Sequence, residues 1–227
     1  MIPRPEDPLI VALDVSDVEA AERLAQGLEG YVGLFKVGLE LFVAHGPAVV
    51  PRIGRFAPVF LDLKLHDIPT TVEGAARAAA RMGVAMITVH ALGGEAMVAA
   101  AVRGAAQGAE QAGHEAPMIL AVTVLSSLAG EGLASPASLA YEAIAAGAGG
   151  VVVSGEDVSQ VREVLGADAC LVVPGIRPAG SNGHDQVRVL TPEEAIERGA
   201  DYLVVGRTVT QSPDPAAVAR AILAMVR

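Results

Sequence analysis

Residues 60–71 read FLDLKLHDIPTT, a strand-like run that ends in a charged turn. A β-strand sends successive side chains to opposite faces. Phe60, Asp62, Lys64 and His66 then share one face, and Leu61, Leu63 and Leu65 share the other. Ionised groups in an apolar strand are costly out of water unless they are paired. Asp62 and Lys64 are spaced to pair, and Asp67 follows at the strand's end. A structural ion pair satisfies the same pattern, but charge gathered at the end of a core strand more often marks a working site.

Outward from this stretch, the chain alternates short apolar runs with helical periods. Strands are predicted at Leu9–Val15, Leu34–Leu39, Pro58–Leu65, Val84–Ala91, Met118–Leu125, Gly150–Ser154, Cys170–Pro174 and Tyr202–Gly206. Helices are predicted between them: from Asp17 to Leu28, Glu40–Arg55, Ile68–Met82, Glu95 to Ala112, a helix starting near Pro136, Asp157–Leu165, Pro192–Arg198 and Asp214–Arg227. Ser16 or Asp17 is the N-cap of the first helix and Thr191 that of a later one, and Pro192 and Pro215 suit first helical turns. Gly175–Leu190 shows no period, and loops of that length in compact domains are usually functional or disordered. Strict strand–helix alternation implies a parallel sheet with right-handed crossovers. Eight units in 227 residues point to an α/β fold, a (β/α)8 TIM barrel occupying 1–227 as a single domain. No Gly-x-Gly-x-x-Gly follows the first strand, so a doubly wound dinucleotide fold is the weaker alternative.

The composition agrees. Hydrophobic residues make up 52% of the chain, charged residues 19% and aromatics 3%, with no Trp, so the core is built from Val, Leu, Ile and Ala. That suits strands buried on both faces under alanine-rich helices. A net charge of −10 argues against nucleic acid or an anionic membrane as partner. Cys170 is the single cysteine, which excludes an internal disulfide and reads as a buried structural thiol. The first residues, MIPRPEDP, lack the organisation of a signal peptide, and no apolar run is long enough for a bilayer. The expectation is a cytoplasmic protein.

In such a barrel, working groups gather at the C-terminal ends of the strands. Asp14, Lys36, Asp62, Lys64, Asp67, Thr123, Arg177, Gln186 and Arg207 all fall there. The loops after strands seven and eight commonly bind phosphate; here they carry Gly175, Arg177, Gln186 and Gly206-Arg207. Glycine admits close approach to an oxyanion, and arginine offers a fork of donors. The loop Ala179–Val187 is placed to fold over a phosphate and bring Gln186 with it. The opposite end holds Lys36, Asp62, Lys64 and Asp67, two cations alternating with two anions. Mutual charge favours Asp62 as carboxylate and Lys64 as ammonium. A charged lysine is a general acid, whereas Schiff-base chemistry needs a neutral amine, so an aldolase is disfavoured. His66 and His90 stand in no recognised metal-ligand spacing and read as hydrogen-bonded scaffold.

On these residues the chain resembles the orotidine 5'-phosphate decarboxylases from Leu9 to Arg207. The specific signature is Asp-x-Lys-x-x-Asp-Ile-Pro, present as Asp62-Leu63-Lys64-Leu65-His66-Asp67-Ile68-Pro69. Around it stand ALD (12–14), FKVG (35–38), VTVLSS (122–127), PGIRP (174–178) and VGR (205–207). The resemblance implies conversion of orotidine 5'-phosphate (OMP) to UMP and CO2 in pyrimidine synthesis, with no metal or organic cofactor. It implies Lys64 as proton donor to C6, with Asp62, Asp67 and Lys36 as its catalytic companions. The implied substrate-binding positions are Asp14, Lys36, Asp62, Ile68, Thr71, Thr123, Arg177, Gln186, Gly206 and Arg207. Of these, Asp14 and Lys36 meet the ribose, Thr123 the pyrimidine edge, and Arg177, Gln186, Gly206 and Arg207 the phosphate. Asp67 and Thr71 reach the neighbouring site of a homodimer.

Two positions depart from the family pattern: Thr70 stands where many relatives have Asn, and His184-Asp185-Gln186 replaces a more usual acidic pair before Gln. The shorter Asp-x-Lys-x-x-Asp core is shared with Mg2+-dependent keto-sugar-phosphate decarboxylases and hexulose phosphate synthases of the same barrel group. That chemistry is one alternative, and a non-catalytic barrel binding a phosphate ligand is another.

Overall fold

Eight parallel strands pair in chain order and the last closes on the first: β1 Leu9–Ala12, β2 Leu34–Gly38, β3 Val59–Leu65, β4 Met86–His90, β5 Met118–Val122, β6 Gly150–Val152, β7 Cys170–Pro174 and β8 Tyr202–Val205. This is the predicted (β/α)8 barrel, seen in a computed structural model that describes residues 7–124, 135–177 and 190–226. Expectations resting on the remaining residues, including Gln186, the loop around it and the loop after β5, lie outside the described residues. Helices α1 Val18–Gly27, α2 Leu39–His45, α3 Val49–Ile53, α4 Pro69–Ala80, α5 Gly94–Ala112, α6 Pro136–Ala145, α7 Val158–Leu165, α8 Pro192–Glu197, α9 Arg207–Thr210 and α10 Pro215–Val226 lie between and after the strands.

Alternation along the strands builds two apolar layers. Ile10, Leu34, Phe60, Met86, Leu120 and Val172 meet inside the barrel. Leu9, Val11, Phe35, Leu61 and Ile87 face outward into the layer shared with the helices. Cys170 is in the inner layer, where burial, with the Asp201 charge in second place, pushes its thiol up to about 12. It is the inert structural thiol the sequence suggested. At the other end of the barrel, Arg162 of α7 donates to the Gly199 carbonyl and to Asp201, which also accepts from Leu171 N–H. That clamp joins α7 to the starts of β7 and β8. Among the described residues, no helix is long and apolar enough to cross a membrane.

Caps behave as the sequence signals. Asp17 accepts from Ala20 N–H at 2.8 Å, and Thr191 with Glu194 forms a full capping box at α8. One helix differs from expectation. The predicted helix Glu40–Arg55 is two short helices joined by a 3-10 turn, Gly46–Ala48. Pro47 cannot donate a backbone hydrogen bond, and Gly46 has φ +64°, so the α-helical ladder ends there. A further short helix, α9, starts at Arg207, one residue past the predicted eighth strand.

Helices α4 and α5 approach closely because two glycines leave their contact face without side chains. A Cβ on Gly104 would overlap the Glu73 carbonyl oxygen, and one on Gly108 that of Arg77. Backbone cannot swing aside as a side-chain tip can. A Cβ on Gly74, also on α4, would meet nothing within 4 Å. Gly104→Ala should therefore destabilise the protein by about 1–3 kcal/mol, while Gly74→Ala should stabilise it by about 0.5–1 kcal/mol. Urea denaturation of both variants checks this, and two shifts of the same sign would contradict it.

Candidate active site

Strand β3 does not keep its register against β4. Phe60 pairs with Met86 and Leu61 with Ile87, but the next partners are Leu65 and Val89. Four residue steps on β3 match two on β4, so Asp62–Lys64 bulges. A bulge breaks the ladder locally and re-aims side chains. Within it Lys64 has φ +51°, the one non-glycine residue with positive φ among the described residues. The left-handed region costs an L-residue roughly 1–2 kcal/mol, and persists where surrounding contacts over-determine it.

Those contacts are present. Lys64 N–H donates to Thr88 Oγ1 at 2.9 Å. The Lys64 ammonium donates to both oxygens of Asp62, each at 2.8 Å. Hydrogen bonds to charged groups contribute about 1.5–3 kcal/mol each, enough to outweigh the strain. Thr88 donates from the same hydroxyl to Asp62 Oδ1 at 2.9 Å. On the other side Lys36 Nζ lies 3.5 Å from Asp62 Oδ2 and 3.0 Å from Asp14 Oδ1. The result is an alternating chain, Asp14–Lys36–Asp62–Lys64, with Asp62 deepest at 8% exposure. Burial alone raises the Asp62 carboxyl, but the charges of Lys36 and Lys64 and the hydrogen bonds from Lys64 and Thr88 outweigh it. The carboxyl therefore stays below the usual carboxylate range.

The chain of charges forms one wall of a cavity of about 540 Å³ at the C-terminal ends of the strands. Val122, Val124 and Val152 give it an apolar side, and Phe60 lies beneath the charges. Gly175, Arg177, Gly206 and Arg207 stand on the side supplied by β7, β8 and their loops. Gly38 leaves room for the charged wall: a Cβ there would come within 3.2 Å of Lys36 Nζ and 3.3 Å of Asp14 Oδ1.

Most of the sequence-derived set therefore meets in one place: Asp14, Lys36, Asp62, Lys64, Arg177, Gly206 and Arg207 all line the cavity. Asp67 does not join them. It is exposed, and its carboxylate accepts from Ile68 N–H at 2.6 Å; Asp14 takes the fourth place in the alternation instead. Ile68 is 64% exposed, Thr71 is exposed at the first turn of α4, and neither lines this chain's cavity. Thr123 is a correction: it is buried, its hydroxyl donates to the Val152 carbonyl at 3.2 Å, and its neighbours Val122 and Val124 face the cavity instead. Its place near the end of β5 suggested a mouth position, but alternation from inward-facing Leu120 sends Val122 and Val124 to the cavity and Thr123 to the other face.

His66 departs from strict alternation. It follows the end of β3, is exposed, and packs its ring 5.2 Å from that of His90 rather than facing the cavity. Nor is His90 a fully hydrogen-bonded scaffold residue, because its buried Nδ1 has no partner among the described residues. Burial, then the charges of His66 and Lys64, hold the His90 pKa below its ordinary value despite Asp62 nearby. The sequence reading passed over Thr88, Ser154, Thr208 and Gln211. The last three line the cavity from loop or short-helix positions that carry no periodic signal. Thr88 had one, since it lies two residues beyond inward-facing Met86.

The family model described as "Orotidine 5'-phosphate decarboxylase / HUMPS family" matches residues 7–222. An orotidine 5'-phosphate decarboxylase of Anaeromyxobacter sp. (strain K) is 53% identical, covering 97% of this chain and 99% of its own. One from Moorella thermoacetica is 48% identical over 97% of this chain and 92% of its own. The crystal structure of orotidine 5'-phosphate decarboxylase from Lactobacillus acidophilus superposes with a TM-score of 0.86 at 37% identity, covering 98% of this chain and all of that one.

The lowered Asp62 pKa makes a stability prediction. The folded state holds its proton less tightly than the unfolded chain, so the ionised carboxylate stabilises the fold above the ordinary carboxylate pKa of about 3.9. That contribution is lost as pH falls through the folded value. Asp62→Asn should cost about 1–3 kcal/mol at pH 7, and the gap to wild type should close as pH falls below about 4. Denaturant unfolding at both pH values measures it; a gap independent of pH would contradict the assignment.

Proposed function

The chain belongs to the orotidine 5'-phosphate decarboxylase / HUMPS family and is the carboxy-lyase that converts OMP to UMP and CO2 in pyrimidine biosynthesis; from that premise we propose that Lys64 is the acid that protonates C6. The observation that carries this reading is the Lys64 ammonium, 2.8 Å from both Asp62 oxygens in the cavity wall. The bond that breaks joins C6 to the carboxyl carbon. Its electron pair stays on C6 as CO2 leaves, and the ring offers that pair no sink. The new C6–H bond forms as a Lys64 N–H bond breaks, leaving a neutral amine that regains its proton from water.

An ammonium held in place before the reaction needs no reorganisation, and its attraction grows as negative charge develops on the carbon. Asp62 stands where it repels the departing carboxylate, a repulsion relieved as CO2 forms. Lys36 keeps Asp62 ionised and positions Asp14, and this pair is the reading for the ribose hydroxyls. Arg177, Gly206 and Arg207 take the phosphate. Contacts so far from the reacting bond lower the barrier only by assembling the site around it. No step in this scheme uses a metal ion or an organic cofactor.

The working unit in this reading is a homodimer whose Asp67 and Thr71 complete the partner's site. Its support is the exposed position of both residues and the exposed apolar side chains Leu39, Ile68 and Leu92, which follow the neighbouring strands β2, β3 and β4.

Turnover is followed by the ultraviolet change on OMP consumption with EDTA present. Lys64→Ala should lower kcat by about 100- to 10,000-fold, and turnover near wild type in that variant would falsify the role of Lys64. Arg207→Ala should raise KM about tenfold or more with a smaller change in kcat; an unchanged KM removes the phosphate assignment. Mixing Lys64→Ala with Asp67→Ala subunits should restore about a quarter of wild-type turnover, because a mixed dimer holds one intact site. No recovery on mixing contradicts the shared-site dimer.

A further inference from the structure

Thr88 is fully buried on β4 and does not line the cavity, so it is out of reach of a ligand. Its hydroxyl nevertheless makes two directed bonds. It accepts from Lys64 N–H at 2.9 Å and donates to Asp62 Oδ1 at 2.9 Å. One hydroxyl hydrogen and one lone pair are thus assigned to two groups of the charged wall. Both bonds fall at the β3 bulge, where regular pairing between β3 and β4 lapses between Leu61 and Leu65. The side chain stands in for the missing ladder contact, at the residue whose φ is +51°.

We propose that Thr88 is the positioning residue for the Asp62–Lys64 pair: its hydroxyl ties the bulged backbone of Lys64 to the carboxylate that orients the Lys64 ammonium. The inference rests on the reading of Lys64 as the proton donor and deepens it. Without the hydroxyl, the Lys64 backbone loses its acceptor in the left-handed region and Asp62 loses one of its donors. The ammonium and carboxylate remain, but their aim relaxes, and small misplacements of a reacting group carry large rate costs. Substrate affinity, set by contacts elsewhere in the cavity, is left nearly intact.

The test compares Thr88→Val, which removes both bonds at similar shape, with Thr88→Ser, which can keep both. Wild type and Lys64→Ala are measured beside them. Thr88→Val should lower kcat about 10- to 100-fold with KM for OMP within about threefold of wild type. Thr88→Ser should stay within about threefold of wild-type kcat. If Thr88→Val fails to fold by circular dichroism, Thr88→Ala against Thr88→Ser gives the same comparison. Equal impairment in the serine and valine variants makes Thr88 a packing residue and overturns the proposal. So does an unimpaired Thr88→Val alongside an inactive Lys64→Ala. An active Lys64→Ala instead overturns the reading of Lys64 itself.

Discussion

The contact on which the site depends is the paired hydrogen bond from the Lys64 ammonium to Asp62, 2.8 Å to each oxygen. It places a cation and an anion side by side in a half-closed cavity, where neither is stable alone. Asp62 is deeply buried, and its burial works against ionisation. Two lysines and a threonine hydroxyl reverse that. The carboxylate then holds the ammonium, and the ammonium holds a backbone conformation that costs energy. Each group is kept in place by a neighbour that needs it.

The barrel supplies what this arrangement requires. Parallel strands end together, so residues distant in sequence reach one mouth. Lys36 arrives on β2, Asp62 and Lys64 on β3, and Thr88 behind them on β4. Asp14, just beyond β1, closes the row. The far side of the cavity is built by the loops of β7 and β8, with Gly175, Arg177, Gly206 and Arg207. An apolar side of Val122, Val124 and Val152 lies between. In the proposed reading, with the phosphate at one end and the reacting carbon at the other, this division lets tight binding at one end organise chemistry at the other.

Strand and helix order was legible because period-two and helical patterns are strong in a chain with so few aromatics and so regular an alternation. The Asp62–Lys64 pair was legible for a related reason: charge on an inward strand position has few structural explanations. The bulge was not, since nothing in FLDLKLHDIPTT reports that β4 advances two residues while β3 advances four. Missing the bulge also hid Thr88, whose importance comes from filling the gap in the ladder. Thr123 was misread because nearness to the strand's end was used without its face: Leu120, Val122 and Val124 share the inward side, and Thr123 lies on the other. Asp67 was placed among the charges by proximity in sequence, and the turn after β3 carries it outward. Asp14 fills that place from just beyond β1, on the side that Ile10 and Ala12 share.

The central claim is that a fixed ammonium, anchored on Asp62, faces the carbon that loses CO2. The most direct measurement is a crystal structure of the protein with UMP bound. The account predicts Lys64 Nζ within about 3.5 Å of C6, still hydrogen-bonded to Asp62. A Lys64 side chain turned away from the ring, or a divalent cation seated between Asp62 and the nucleotide, would contradict it.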